Sequence, residues 1–134
     1  MATIRAYTTI EQSRKLAETL PLESADQSYI RVSIAGDNFN IPEEMQYKHN
    51  GDTPFIFCNG VGIPCWSLAA LLKIIPKKIK NVNILRIDID EKDFSIWYDE
   101  VGYGVNTELP DITMEYPVDA CVAMIEKLYK LKML

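Results

Sequence analysis

Apolar positions along this chain recur with two periods, and the changes between them mark out its elements. Ile10, Leu16, Ala17 and Leu20 fall at helical spacing. Thr8-Thr9-Ile10-Glu11 ahead of them matches a capping box, in which the Thr8 hydroxyl accepts an orphan backbone N–H and Glu11 reaches back. Pro21 ends the helix, because its ring cannot continue one. Residues 22–28 read as a polar connection. Ile30, Val32 and Ile34 then alternate with Arg31 and Ser33, the period of a half-buried strand. Gly36-Asp37-Asn38 is turn chemistry; Phe39 and Ile41 resume the alternation and Pro42 closes it. Asn50-Gly51, a favoured hairpin turn pair, lies between Met45-Gln46-Tyr47 and Phe55-Ile56-Phe57 and assigns a further strand to residues 54–58.

In the second half, a loop over Asn59-Gly60-Val61-Gly62-Ile63-Pro64 leads into a helix expected from Cys65 to Ile75, with Leu68, Leu71, Leu72 and Ile75 on its apolar face and Pro76 closing it. Lys77-Lys78-Ile79-Lys80 is a basic connector. Strands follow over 82–89, with Val82, Ile84, Ile87 and Ile89 inward, and over 94–101; Asp90-Glu91-Lys92-Asp93 turns between them. Residues 102–116 read as a long loop. Pro117 opens the last helix at its first position, where a missing N–H costs nothing, and Val118, Cys121, Val122, Ile125, Leu128 and Tyr129 form its stripe. The order α-β-β-β-α-β-β-α, with hairpin-length connections, argues an α+β fold: an antiparallel sheet of four to five strands carrying three helices. A length of 134 residues fits a single domain spanning 1–134.

Composition narrows the class without naming a task. Hydrophobic residues make up 48% and charged residues 25%, which excludes disordered and low-complexity chains. The three cysteines, Cys58, Cys65 and Cys121, have no disulfide-framework spacing, and Met1-Ala2-Thr3-Ile4-Arg5 lacks the apolar core of a signal peptide. The apolar stretch Val61 to Leu72 is shorter than the roughly 20 residues that cross a bilayer. These features point to a cytoplasmic protein with no membrane contact. A net charge of −5 argues against nucleic acid as a partner. That mean conceals a strong polarity. Lys73, Lys77, Lys78, Lys80 and Arg86 are accompanied by no acid, whereas between Asp88 and Asp119 ten acids face one base, Lys92.

Each candidate chemistry competes with a plainer reading. Cys58 and Cys65 bracket the glycine-containing loop. A thiol at Cys65, near a helix start, is expected to ionise easily, and His49, the sole histidine, completes a Cys–His pair. The competing role for both cysteines is packing. Cys58-x6-Cys65, even with His49 and Cys121, matches no structural zinc spacing. Gly60-x-Gly62 lacks the rest of a phosphate-binding or dinucleotide fingerprint and reads as a tight turn positioning Trp66. No catalytic residue, metal or cofactor is therefore assigned. Among the acids, Asp99 and Glu100 as an acid–base pair need a pocket, and Asp88, Asp90 and Asp93 lack the glycine and glutamate of a calcium loop. An acidic contact surface for a basic protein needs only clustered charge on a rigid hairpin; the plainer alternative is a solvated face. Trp97 and Tyr98 must point to opposite faces of their strand, so one is expected inside and the other outside. With Tyr103 and Tyr116 they flank the acidic run. The contact candidates are Asp88, Asp90, Glu91, Asp93, Trp97, Tyr98, Asp99, Glu100 and Tyr103.

Three stretches also carry a resemblance. They are Tyr7-Thr8-Thr9-Ile10-Glu11-Gln12-Ser13-Arg14-Lys15-Leu16-Ala17-Glu18 running on to Asp26, Ile63-Pro64-Cys65-Trp66-Ser67-Leu68-Ala69-Ala70-Leu71-Leu72, and Pro117-Val118-Asp119-Ala120-Cys121-Val122 with Met124, Ile125 and Leu128. Together they resemble a group of small uncharacterised proteins encoded by gut bacteria and by their phages and mobile elements. The resemblance implies an accessory protein inside the cell and carries over no catalytic residue. The expectation is thus a cytoplasmic, non-enzymatic interaction module that meets an unidentified protein through residues 88–116. The alternatives are an enzyme using Cys65 or a carboxylate pair, and a self-associating protein with Trp97 or Tyr98 at the contact.

Overall fold

The structure, a computed structural model, describes residues 6–29, the backbone of 42–44, and 63–134. The hairpin expected from Ile30 to Ile41, the strand over 54–58, His49, Cys58 and the loop glycines lie outside the described residues. Two compact units divide the chain, one over residues 6–70 and one from Leu71 to Leu134, the boundary falling inside the second helix.

The first unit contains α1 (Ile10–Ala17), β1 (Gln27–Tyr29), β2 (Pro42–Glu44) and β3 (Ile63–Cys65). Helix α1 does start with a capping box, but one residue later than expected: Thr9 Oγ1 accepts the Gln12 N–H at 3.1 Å, and Gln12 Oε1 accepts the Thr9 N–H at 3.0 Å. Thr8 cannot serve because its hydroxyl is committed to the interior. It lies 2.7 Å from Ser13 Oγ and accepts the Trp66 N–H at 3.1 Å. The connection expected over 22–28 holds a 3-10 turn at Leu22–Ser24 and then β1. The three strands form an antiparallel sheet in the order β2-β1-β3, with Ser28 opposite Glu43 on one side and Pro64 on the other. Pro42 opens β2.

Cys65 ends β3 and does not begin a helix. Helix α2 (Leu68–Ile74) starts three residues later. Its start is fixed by Ser67, whose Oγ accepts the Ala70 N–H at 3.2 Å, and Ser67 is itself held by Asp26: its N–H donates to Oδ1 at 2.8 Å and its hydroxyl to Oδ2.

The second unit contains β4 (Lys78–Ile79), β5 (Asn83–Ile89), β6 (Phe94–Glu100), β7 (Gly104–Val105), β8 (Ile112–Met114) and α3 (Pro117–Lys130). The sheet runs β4-β5-β6-β7, and β8 also pairs with β6, all antiparallel. Two consecutive left-handed residues, Lys80 (φ 53°) and Asn81 (φ 61°), reverse the chain into β5. Gly102 and Gly104, at φ 87° and 82°, reverse it after β6, in backbone that side-chain-bearing residues rarely adopt. The stretch expected as one long loop thus contains two short strands. Asn106 Nδ2 ties it to Asn83 Oδ1 at 2.9 Å, and the buried Ile112 faces Ile96.

Helix α3 begins at Pro117 as expected. It ends in a Schellman motif, with Met133 N–H on Leu128 O and Lys132 N–H on Tyr129 O around a left-handed Lys132. It packs on β6 and β8. Val118, Cys121, Val122, Ile125 and Leu128 are buried there with Phe94, Ile96 and Tyr98, whereas Tyr129, expected in the stripe, is exposed. Burying a leucine- or isoleucine-sized side chain stabilises by roughly 1.5–3 kcal/mol, so this seam is the main source of the unit's stability. The class is α+β with antiparallel pairing throughout the described residues.

Candidate interaction surface

The β5–β6 hairpin pairs Asn83 with Glu100 at one end and Ile89 with Phe94 at the other. Directly opposed residues share a face. Leu85, Ile87 and Ile89 therefore lie on the helix-covered face with Tyr98, Ile96 and Phe94, while Arg86 and Asp88 lie with Trp97 and Ser95 on the other.

This geometry separates the contact candidates. Asp88 is exposed on the outer face. Asp90, Glu91 and Asp93 are exposed in the turn, which is closed by the Asp90 N–H donating to Asp93 O at 2.9 Å. None of these four carboxylates has an ion-pair partner among the described residues. Asp99 is occupied: Oδ2 accepts Arg86 Nε–H at 3.3 Å, and Oδ1 accepts the Trp97 indole N–H at 2.8 Å. That bond holds the half-buried indole against its own strand. Glu100 and Tyr103 lie at the far end, Tyr103 with 84% of its surface exposed. Seven strand residues span about 20 Å, so the two ends of the hairpin are separate places.

Tyr98 is not a contact residue. It is fully buried, and its hydroxyl donates to Pro76 O at 2.6 Å. Burial pushes its pKa up to about 12.

Three residues that the sequence placed inside are outside. Ile87 is 42% and Ile89 76% exposed, and Val82 is exposed as well. Alternation assigned Ile87 and Ile89 to the correct face, but α3 does not seal that end of it. Beside Ile89 lies a groove of about 580 Å³. Ile89, Phe94 and Pro117 give it apolar walls, and Asp90, Glu91, Asp93 and Glu115 line it with negative charge against the one base, Lys92.

Of the two nucleophile candidates, Cys58 lies outside the described residues and Cys65 behaves as an interior group. Cys65 is fully buried in the first unit, where its thiol donates to Thr8 O and lies 3.5 Å from Thr8 Oγ1. Burial raises its pKa, partly offset by hydrogen bonds from Thr8, Ser13 and Tyr29, and nearby Asp26 raises it further. That is opposite to the shift a helix start would give. Tyr29 completes this cluster by donating to Thr8 O at 2.6 Å. In the second unit Cys121 is raised to about 12 by burial, with Lys77 opposing. Both thiols are free. Among the described residues no cluster of three metal-ligating side chains occurs, and no helix is long and apolar enough to cross a membrane.

Comparison with protein-family models, curated proteins and solved structures returns no match.

Proposed function

We propose that this protein is a small non-enzymatic interaction module whose acidic hairpin and following loop, residues 88–116, meet a basic protein partner. The observation that carries this reading is the hairpin turn. Asp90, Glu91 and Asp93 project together from a rigid two-stranded support, exposed and without ion-pair partners among the described residues, with only Lys92 between them. Clustered like charge on a rigid element steers an oppositely charged partner and sets its register. The buried, hard-to-ionise thiols favour interaction over cysteine chemistry, and two free thiols suit a reducing cytoplasm.

The test replaces Asp90, Glu91 and Asp93 together with serine and measures capture of partners from the native cell over a range of salt. The native protein is expected to lose its partner as salt rises, and the variant to hold it weakly with a flattened salt dependence. Equal capture by the two proteins at all salt concentrations refutes the reading.

A further inference from the structure

The outer edge of β5 has the makings of a strand-addition site. Leu85 N–H donates to Lys77 O at 2.9 Å, away from β6. Backbone groups alternate sides along a strand, so Ile87 and Ile89 also aim their N–H and C=O off that edge. Strand β4 ends its pairing at Ile84, and no strand pairs with the edge of β5 beyond it among the described residues. The exposed Ile87 and Ile89 side chains flank the open edge on one face, and Asp88 and Asp90 flank it on the other. Natural edges are usually blunted by charged side chains, proline or a bulge; residues 86–90 contain no proline, and their charges, Arg86, Asp88 and Asp90, guard the edge against indiscriminate pairing while leaving it open to a strand of matching charge.

A second copy of the chain fits this edge poorly. Antiparallel self-pairing must bring outward-aimed residues opposite one another. If Ile87 faces Ile87, Asp88 meets Arg86 of the copy, but Ile89 of the copy falls on Leu85, whose N–H Lys77 already occupies. If Ile87 faces Ile89, Arg86 meets Asp90, but Asp88 falls directly opposite Asp88 at the centre of the pairing, and like charges so placed repel. A strand carrying bases at the positions facing Asp88 and Asp90 removes that repulsion. The groove beside Ile89, with apolar walls and four carboxylates against the single base Lys92, suits the aliphatic stem and charged head of a lysine or arginine.

We infer that the free edge of β5 binds an extended segment of a partner protein with alternating apolar and basic residues, added antiparallel or parallel as a further strand along Arg86–Asp90. The apolar positions cover Ile87 and Ile89, and the basic ones meet Asp88 and Asp90. This rests on the proposed interaction function and specifies its mode and the partner's chemistry.

The test uses a short, end-capped, fluorescently labelled peptide of alternating valine and lysine, followed by anisotropy with the full chain. Its controls are the same residues in block order, the same peptide N-methylated at alternate backbone positions, and an alternating valine–glutamate peptide. Strand addition predicts that only the unmethylated alternating lysine peptide binds well. Ile87→Pro removes an edge N–H not used by β6 and should weaken binding roughly tenfold. The methylated peptide repeats that test on the unaltered protein, in case the variant misfolds. Equal binding of the block and methylated peptides overturns strand addition and leaves an acidic surface of low specificity. Sedimentation showing a dimer that Ile87→Pro abolishes overturns it in favour of self-pairing. If no peptide binds while the triple serine variant still loses its partner, strand addition falls and the interaction function stands; if the serine variant also behaves as native, both fall.

Discussion

Strands β5 and β6 are the two arms of one hairpin, each of seven residues, and next to the turn each alternates apolar with polar side chains, over 85–89 and 94–96. On their shared face, Phe94, Ile96 and Tyr98 of β6 are sealed under α3, while Ile87 and Ile89 of β5 are open to solvent. The sequences do not account for this: Ile87 and Ile96 are the same residue, directly opposite one another. The difference lies in position within the sheet. Strand β6 has neighbours on both edges and a helix above, whereas among the described residues the far half of β5 pairs with β6 alone. Alternation determines which way a side chain points; an element elsewhere in the chain determines whether anything lies over it.

Truncating the same residue type on each arm breaks or sharpens this contrast most strongly. Ile96→Ala leaves a cavity in a closed core and is expected to cost roughly 2–5 kcal/mol. Ile89→Ala, at an open position, should stay within about 0.5 kcal/mol. Urea denaturation of both variants checks the pair. Similar losses from the two would mean that the end of β5 is packed after all, and would remove the basis for treating it as a contact edge.

The same physics explains what could be read from the sequence. The hairpin and α3 were legible because their signals are local: unbroken alternation around Asp90–Asp93, and a proline followed by a helical stripe. Thr8 and Thr9 could not be ranked as caps, because interior contacts with Ser13, Cys65 and Trp66 occupy the Thr8 hydroxyl. Nor could the start of α2, since Asp26, 41 residues away in sequence, holds the serine that caps it. Strands β7 and β8 have two and three residues, too few to show a period. The acidic surface was legible as charge. Its apolar half, Ile87 and Ile89, was not, because exposure depends on coverage from distant elements.

A second contrast separates the sealed arm from the open one by pH. Tyr98 and Cys121, both in the closed seam, are raised by burial to about 12. A raised pKa means the folded state holds the proton more tightly than the unfolded chain. Their contribution is complete below the unfolded values, near pH 9 for the thiol and pH 10 for the phenol, and is lost as pH climbs from there through the folded values. The unfolding free energy should fall by on the order of 2 kcal/mol between pH 9 and 11. Cys121→Ala should flatten the early part of that fall, and Tyr98→Phe the later part, while Ile89→Ala leaves the profile parallel to the native one. A fall that neither Cys121→Ala nor Tyr98→Phe alters would place the alkaline weakness outside the seam.

The smallest expected effect concerns the hairpin's outer face, where Arg86 and Asp88 of β5 are exposed and Ser95, Trp97 and Asp99 of β6 are half-exposed. Arg86 and Asp99 join them at 3.3 Å, with side chains 53% and 30% exposed. Water screens such a pair, and holding a long arginine in one rotamer costs entropy, so a double-mutant cycle of Arg86→Met and Asp99→Asn should give a coupling of about 0.5 kcal/mol or less, fading with salt. The asparagine retains an oxygen for the Trp97 indole N–H, so the cycle isolates the charge pair from the bond that holds Trp97. A coupling above about 1.5 kcal/mol that resists salt would show that this face is desolvated in solution. The hairpin would then be covered on the face carrying Asp88 and Trp97, and the open edge of β5 would lose its standing as the place where a partner arrives.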